Sequence, residues 1–332
     1  MRTWPLALLS FVGLAALMPT AACGDRTGLL VPIVVENENP ESGTTNPGDD
    51  DSGETPDGGP ITDALPPIDV SMPPPFNDCP DAGSTFIYVV GSGNDLYSFY
   101  PPMVAFTRIG TLRCPLLPSG VQAKATPFSM AVDRTGVAYV IYTDGELFRV
   151  STATASCEAT RFVIGQGGFD SNFGMGYSHD DTGTGETLFV IGEGGTLATI
   201  DTNTFGLRVI GTGSPPLESA ELTGTGAGDL FGFYASTGAT ACTNHACPDS
   251  SIGQLDKASG RQTNQSVLKG VNQGNAWAFA FWGGDFYTFT QASAGGTRVT
   301  RFRPSNGSVV TVATRPDFQI VGAGVSTCAP AR

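Results

Sequence analysis

The apolar positions of this chain recur in a short signature: apolar, two residues, apolar, then a polar turn. Five copies stand out, at Leu96-Tyr97-Ser98-Phe99, Leu147-Phe148-Arg149-Val150, Leu197-Ala198-Thr199-Ile200, Ile252-Gly253-Gln254-Leu255 and Val299-Thr300-Arg301-Phe302. Their first residues are spaced by 51, 50, 55 and 47 positions. Between the copies, short apolar runs alternate with Gly, Asp and Asn turns, a pattern of strands rather than helices. A strand-and-turn repeat of about 50 residues predicts a β-propeller. The expected fold is therefore all-β, a five-bladed propeller of four-stranded blades.

Each repeat reads as four strands. In the second they fall at 128–134, 137–143, 146–151 and 156–164, joined by Asp133-Arg134-Thr135-Gly136 and Thr143-Asp144-Gly145. Asp-Gly between apolar runs is a strong hairpin signal. The third repeat starts near Phe173, the fourth near Ala220 and the fifth near Ala276. The first has only three strands, 85–91, 95–100 and 104–112, while the last stretch, 318–328, reads as one inner strand. Joined, these make one blade shared between the termini, which closes the ring and protects its edges from open pairing. The propeller is expected to occupy residues 82–330.

Composition changes the picture mainly outside the repeats. Gly and Pro number 44 and 24, as suits many strands joined by turns. The net charge of −14 is uneven: residues 36–81 hold twelve acids and no Lys or Arg. From residue 82 onward, 18 acids face 15 bases. The acidity thus belongs to a tail, and no basic patch exists to neutralise phosphates, which disfavours nucleic acid as a partner. With ten prolines and five glycines beside its acids, segment 36–81 cannot bury enough apolar surface to offset its ordering entropy and is expected to form a disordered linker.

The N-terminus reads as an export signal over residues 1–22: Arg2, an apolar run from Leu6 to Met18, then Pro19-Thr20-Ala21-Ala22 before Cys23. The 13-residue run would span roughly 20 Å as a helix, too short for a ~30 Å hydrocarbon core. Small residues before a cysteine resemble the lipobox of bacterial lipoproteins, in which that cysteine is acylated. Thr20 stands where the usual lipobox has Leu, so ordinary cleavage after Ala22 is the alternative. Cysteine number favours lipidation: there are seven, exported thiols tend to pair, and acylating Cys23 leaves six. Residues 23–35 then form a lipid-anchored stem, and the membrane is reached through the lipid. Gly24 follows Cys23 in place of the Asp that retains some lipoproteins at the inner membrane, which favours the outer membrane of a bacterial envelope. On the propeller arrangement the six remaining cysteines pair as Cys79–Cys328 across the shared blade, Cys114–Cys157 between neighbouring blades, and Cys242–Cys247 within a loop that accounts for the 55-residue interval.

The pieces FSMAVDRT (128–135), DGELFRV (144–150), NAWAFAFWGGD (275–285) and VGAGVSTCAP (321–330) resemble a group of uncharacterised myxobacterial-type lipoproteins, over residues 79–330 and the Cys23 stem. More loosely, the strand followed by Asp-x-x-Thr-Gly is similar to quinoprotein-like, NHL and surface-layer propeller repeats. That resemblance implies the fold and no particular activity, because propellers host enzymes, binding modules and scaffolds alike.

Chemistry-bearing residues are sparse. His179, in Ser178-His179-Asp180-Asp181, reads as part of a solvent-exposed polar turn rather than a ligand or base. His245 lies between Cys242 and Cys247, where a disulfide loop is favoured over a zinc site lacking a fourth ligand. Gly91-Ser92-Gly93 and Gly192-Glu193-Gly194-Gly195 lack the lysine and helix of a phosphate loop and read as turns. Asp170, Asn172, Asp180 and Asp181 offer oxygens but no calcium-loop motif. Trp277 and Trp282 read as packing between blades. No catalytic set, metal site or cofactor is expected. One constellation remains: Ser129, Asn172, Glu221, Asn275 and Gln319 recur where the chain enters the inner strands, and there they would ring one mouth of the central channel, a common ligand position. The reading is an envelope-anchored binding or scaffold module for a protein or small ligand. The alternatives are a propeller hydrolase or lyase, lactonase-like or cyclotransferase-like, and a purely structural envelope protein.

Overall fold

Local turn chemistry sets the hairpins. After Val132 the Asp133 carboxylate accepts hydrogen bonds from the Thr135 amide at 2.9 Å and the Val137 amide at 2.9 Å. Gly136 completes this turn at φ 82°, a left-handed conformation that costs glycine nothing. The Asp201 carboxylate does the same for the Asn203 and Thr204 amides at 2.8 and 3.2 Å, and these bonds hold its pKa below the ordinary carboxylate value. The computed structural model describes residues 85–115, 125–170, 172–236, 248–291, 296–315 and 317–332. The leader, stem and linker expected at 1–22, 23–35 and 36–81 lie outside these residues, as do Cys23, Cys79, Cys242, Cys247 and His245.

The described strands form five antiparallel four-stranded sheets. The first contains β1 (Ile87–Gly91), β2 (Asp95–Tyr100) and β3 (Ala105–Thr111). The second is β4 (Pro127–Val132), β5 (Val137–Tyr142), β6 (Leu147–Ser151) and β7 (Cys157–Ala159). The third is β8 (Phe173–His179), β9 (Glu186–Gly192), β10 (Thr196–Ile200) and β11 (Leu207–Thr212). The fourth is β12 (Glu221–Gly224), β13 (Leu230–Ala235), β14 (Ser250–Leu255) and β15 (Gln262–Leu268). The fifth is β16 (Trp277–Trp282), β17 (Asp285–Thr290), β18 (Thr297–Arg303) and β19 (Ser308–Arg315). The last strand, β20 (Ile320–Val325), pairs with β1, Ile87 opposite Val325, and is the fourth strand of the first sheet. The inner strands β20, β4, β8, β12 and β16 touch one another in cyclic order, which makes the sheets the blades of a five-bladed β-propeller. The expected boundaries shift by up to three residues at most strands, and the largest difference is in the second blade, whose outer strand stops at Ala159 rather than running to 164. Thr160 still meets the Leu147 carbonyl, through its amide at 3.3 Å and its Oγ1 at 2.6 Å, but beyond it the chain leaves the sheet and the Phe162 ring turns onto Phe173 of the following blade, 5.9 Å between centroids.

The repeated signature now has a physical meaning. It lies on the third strand of every blade: β2, β6, β10, β14 and β18. Strand side chains alternate with period two, so residues three apart point to opposite faces. In each blade the first signature residue packs into the cluster shared with the following blade and the second into the cluster shared with the preceding one. Leu96 joins Met130 and Val140 of the second blade, whereas Phe99 joins Ala280 and Phe289 of the fifth. The same division holds for Leu147 and Val150, Leu197 and Ile200, Ile252 and Leu255, and Val299 and Phe302. The core is therefore five wedges of apolar side chains, one between each neighbouring pair of blades. A disulfide joins Cys114, beyond the outer strand of the first blade, to Cys157 at the start of the second blade's outer strand, Cα to Cα 4.8 Å. Cys328 is also disulfide-bonded.

Toward the axis the blades meet backbone to backbone. A Cβ on Gly174 would stand 2.8 Å from Glu221 Cα and closer still to the Ala220 carbonyl oxygen; one on Gly176 would stand 2.7 Å from Leu222 C. Gly322 and Gly324 bring β20 equally close to Met130 and Val132 of β4. Hydroxyls serve inner-strand amides that point away from their own sheet: Ser129 Oγ accepts from Met175 N at 3.1 Å and Thr223 Oγ1 from Phe281 N at 3.3 Å.

Candidate functional site

At the end of the ring where the inner strands begin, a pocket of about 270 Å³ opens among the entries of β4, β8, β12 and β16. Its lining includes Phe128, Asn172, Glu193, Glu221, Asn275 and Trp277. Asn172, Glu193 and Asn275 are exposed at the rim, Phe128 and Trp277 are half-buried, and Glu221 is 3% exposed at the floor. A larger cavity, about 330 Å³, is lined entirely by the third blade, among them Tyr177, Glu186, Thr199 and Arg208. It is a groove on one blade, whereas the axial pocket draws on four.

Each wall has a local cause. Gly174, lacking a Cβ, lets the start of β12 lie against β8, which brings Glu221 over β4; there Ser129 Oγ donates to Glu221 Oε2 at 2.6 Å. Asn275 is set by the turn before β16. Gly274 N donates to Asn272 Oδ1 at 2.8 Å, and Asn275 N then donates to the Gln291 carbonyl at 2.9 Å. Glu193 is tied to the β12 entry through its carbonyl, which accepts from Ser219 N at 3.0 Å.

Of the five entry residues singled out by sequence, Asn172, Glu221 and Asn275 line this pocket. Ser129 is fully buried behind Glu221. Gln319 is not among the lining residues; its side-chain amide bonds Gln291, the residue whose backbone holds Asn275. The sequence reading missed Glu193, which lay in a run assigned only as a turn, and the aromatic walls, since Trp277 had been assigned to packing alone. Trp277 does pack against the wedge between the fourth and fifth blades while also facing the pocket. Trp282 packs between the fifth and first blades and donates from Nε1 to the Thr85 carbonyl at 2.7 Å.

His179 corrects an expectation. It is buried, not solvent-exposed, as the last residue of β8. Its Nδ1 lies 2.7 Å from the Asp180 carbonyl, and its own carbonyl accepts from Lys257 Nζ at 2.8 Å. Lys257 pairs with Asp181 at 2.5 Å, so this charged corner is tied to the fourth blade instead of trailing into solvent. Nearby, Glu186 accepts from Arg134 N and Thr327 Oγ1, both at 2.6 Å, linking three blades at the opposite end of the ring. Among the described residues, no group of three or more His, Cys, Asp and Glu side chains is arranged to hold a metal ion.

Burial pushes the Glu221 carboxyl well above the ordinary carboxylate range, and the hydrogen bonds from Ser129 and Met175 offset part of that rise. The linkage has a definite sign. A carboxyl whose pKa is raised on folding contributes stability fully below its unfolded pKa, and that contribution is lost as pH rises toward the folded value. The groups facing it are the Ser129 hydroxyl from β4, the Met175 amide from β8 and the Glu193 side chain across the pocket, so among the described residues nothing positive compensates. The expected result is that Glu221→Gln flattens the pH profile: the stability of wild type relative to the variant falls above about pH 4.5, by up to ~1.4 kcal/mol per pH unit. Denaturant titrations of both proteins from pH 4 to 8 measure this. Other buried acids such as Glu186 cancel in the difference, and parallel profiles would refute the assignment.

No protein-family model matches the chain, and no curated protein sequence does. Solved structures do. Hydrazine synthase from Kuenenia stuttgartiensis is similar at 15% identity and TM-score 0.34, over 74% of this chain and 70% of that one. A protein of unknown function from Bacteroides caccae is similar at 13% and 0.38, over 73% and 98%. TolB from Acinetobacter baumannii is similar at 13% and 0.40, over 72% and 55%. Likeness at this level carries no argument about activity, and the propeller stands on the chain's own sheets.

Proposed function

We propose that this chain is an exported, lipid-anchored envelope protein whose propeller is a binding module, with the axial pocket as its ligand site. The observation that carries the reading is the convergence of four inner-strand entries on one concave, partly aromatic pocket with a buried carboxyl at its floor. Such a combination of apolar wall and few convergent polar groups is what ligand sites share. The leader, Cys23 and the acidic 36–81 segment support the anchored arrangement: an acylated cysteine holds the chain at a membrane, in our reading the outer one, and the linker sets the propeller off from it.

The test uses the mature protein and a library of small metabolites, read by thermal shift and by Trp277 fluorescence. Ligands that raise the melting temperature are expected, and Trp277→Ala and Asn275→Ala should each weaken them at least tenfold while leaving the unliganded protein folded. Hits unaffected by both substitutions would move the site elsewhere. Mass spectrometry of the mature N-terminus should find Cys23 acylated, and an unmodified thiol would overturn the anchor.

A further inference from the structure

We propose that the axial pocket takes the ammonium group of a small organic amine, with Glu221 as counter-ion at its floor and Trp277 and Phe128 against the apolar remainder of the ligand. The inference rests on the reading of this pocket as the ligand site and adds the chemical class of the ligand.

Three features of the pocket fit it to a small organic cation, the first of them by setting the sign of the charge. First, no Lys, Arg or His lines it, whereas Glu193 and Glu221 both do. An anion would meet two carboxyl groups and no cation. Second, the remaining polar side chains of the lining, Asn172, Ser219 and Asn275, carry oxygens that accept from an ammonium, and being donors as well they admit the cation without choosing the sign. Third, the half-buried rings of Trp277 and Phe128 stand in the same lining. Aromatic faces attract organic cations and cover apolar carbon equally well. The volume of about 270 Å³ lies just below the usual range of ligand pockets, about 300–1,000 Å³, so it suits a compact molecule rather than a polymer segment.

The floor distinguishes a cation from a neutral polyol. Glu221 is 3% exposed and receives the Ser129 hydroxyl at 2.6 Å, with the Met175 amide, which donates to the same Ser129 Oγ, lowering its pKa in part. From the other elements around it come the Glu193 carboxylate and the uncharged Asn275 and Trp277. No lining residue supplies a positive partner. Burial accordingly favours its uncharged form, and an opposite charge placed beside a carboxyl reverses that preference. The balance on binding is simple: a carboxylic acid and an ammonium become a carboxylate–ammonium pair, the carboxyl O–H bond breaks, and the proton goes to the buffer. Amine affinity must then rise with pH, by up to tenfold per unit, until the carboxyl of the free protein is itself ionised. A neutral ligand shows no such gain.

Calorimetric titration of the mature protein decides the matter. The probes are 2-phenylethylamine, tyramine and cadaverine, with 2-phenylethanol as the uncharged counterpart and glucose as a neutral polyol, at pH 5 to 8 in buffers of different ionisation heat. At least one amine should bind with a change in tryptophan fluorescence and with proton release. 2-Phenylethylamine should bind at least tenfold more tightly than 2-phenylethanol, and Glu221→Gln should remove that advantage. Glu193→Gln, at the exposed rim, should weaken amines no more than about threefold, as expected for a screened surface charge. Amines that fail to bind, that bind without proton release, or that bind Glu221→Gln as well as wild type overturn the proposal. Should Glu221→Gln fail to fold, proton release by the wild type decides alone. If 2-phenylethanol or glucose binds at Trp277 while the amines do not, the amine proposal falls and the pocket remains a ligand site; if no probe or library compound binds there, both fall.

Discussion

A single methyl group at Gly174 is expected to destabilise the propeller by roughly 3 kcal/mol, the upper end of the usual cost of inserting carbon into a packed core. In an ordinary strand interior the same Gly→Ala change is favourable by roughly 0.5–1 kcal/mol, because alanine has less backbone freedom to lose. The sign reverses here because the new Cβ meets main chain, namely the Ala220 carbonyl oxygen and Glu221 Cα. Main-chain atoms cannot rotate away, so β8 and β12 must separate along their length. That separation also withdraws Glu221 from Ser129 and opens the pocket floor. For a domain of this size the loss corresponds to a melting temperature lower by about 6–12 °C. Gly93, with open space around its Cβ position, is the control: Gly93→Ala should change stability by less than about 0.5 kcal/mol. Equal melting temperatures for Gly174→Ala and wild type would mean that the inner strands stand farther apart than described.

The second large effect is expected at the disulfide between the first two blades. Cys114 and Cys157 are 43 residues apart, and in the chain-entropy model closing such a loop restrains the unfolded chain by roughly 4 kcal/mol, with measured values commonly 2–4. The double variant Cys114→Ser/Cys157→Ser is expected to lose about that much, seen as a lower denaturant midpoint. Serine substitution is the better probe than reductant, since reductant also attacks the bond at Cys328. The two blades keep other ties: the Tyr142 hydroxyl donates to Asn94 Oδ1 at 2.8 Å across the same seam, and an apolar wedge lies beneath. The variant should therefore still fold, with its loss confined to stability. An unchanged midpoint would show that the crosslink restrains nothing the native contacts do not already hold.

The fold was legible because its information is local and repeated. Apolar residues three apart on a strand must face opposite ways, and a segment that carries them in Leu96 and Phe99, then in Leu147 and Val150, must be covered on both sides. Repeated five times at near-constant spacing, that requirement admits a ring of radially stacked sheets. Asp133 and Gly136 mark where a strand turns, because carboxylate capping and positive φ are properties of one or two residues. The Cys114–Cys157 pairing followed once the strands were placed. Where expectation and structure part, a longer-range contact decided. β7 ends early as Phe162 turns onto Phe173 of the following blade, and His179 is held against the fourth blade, its amide donating to the Thr225 carbonyl and its own carbonyl accepting from Lys257, a residue far along the chain.

The pocket was legible only in outline. Entry residues Asn172, Glu221 and Asn275 could be named because inner strands share one direction around a ring, so their starts share one mouth. Alternate glycines at 174 and 176, and at 322 and 324, were a signal for close backbone approach that the repeat pattern overshadowed. By itself, then, the sequence determined the strands, their turns, the number of blades and the faces that must be buried, since these follow from side-chain alternation and local backbone preference. The tertiary structure alone decided that Glu221 is buried over Ser129 with no positive partner among the described residues, that Glu193 and Trp277 share its pocket, and that Gln319 stands one residue removed. Those are distances between strands of different blades, set by how near two backbones can come where a Cβ is missing, and no local pattern encodes them.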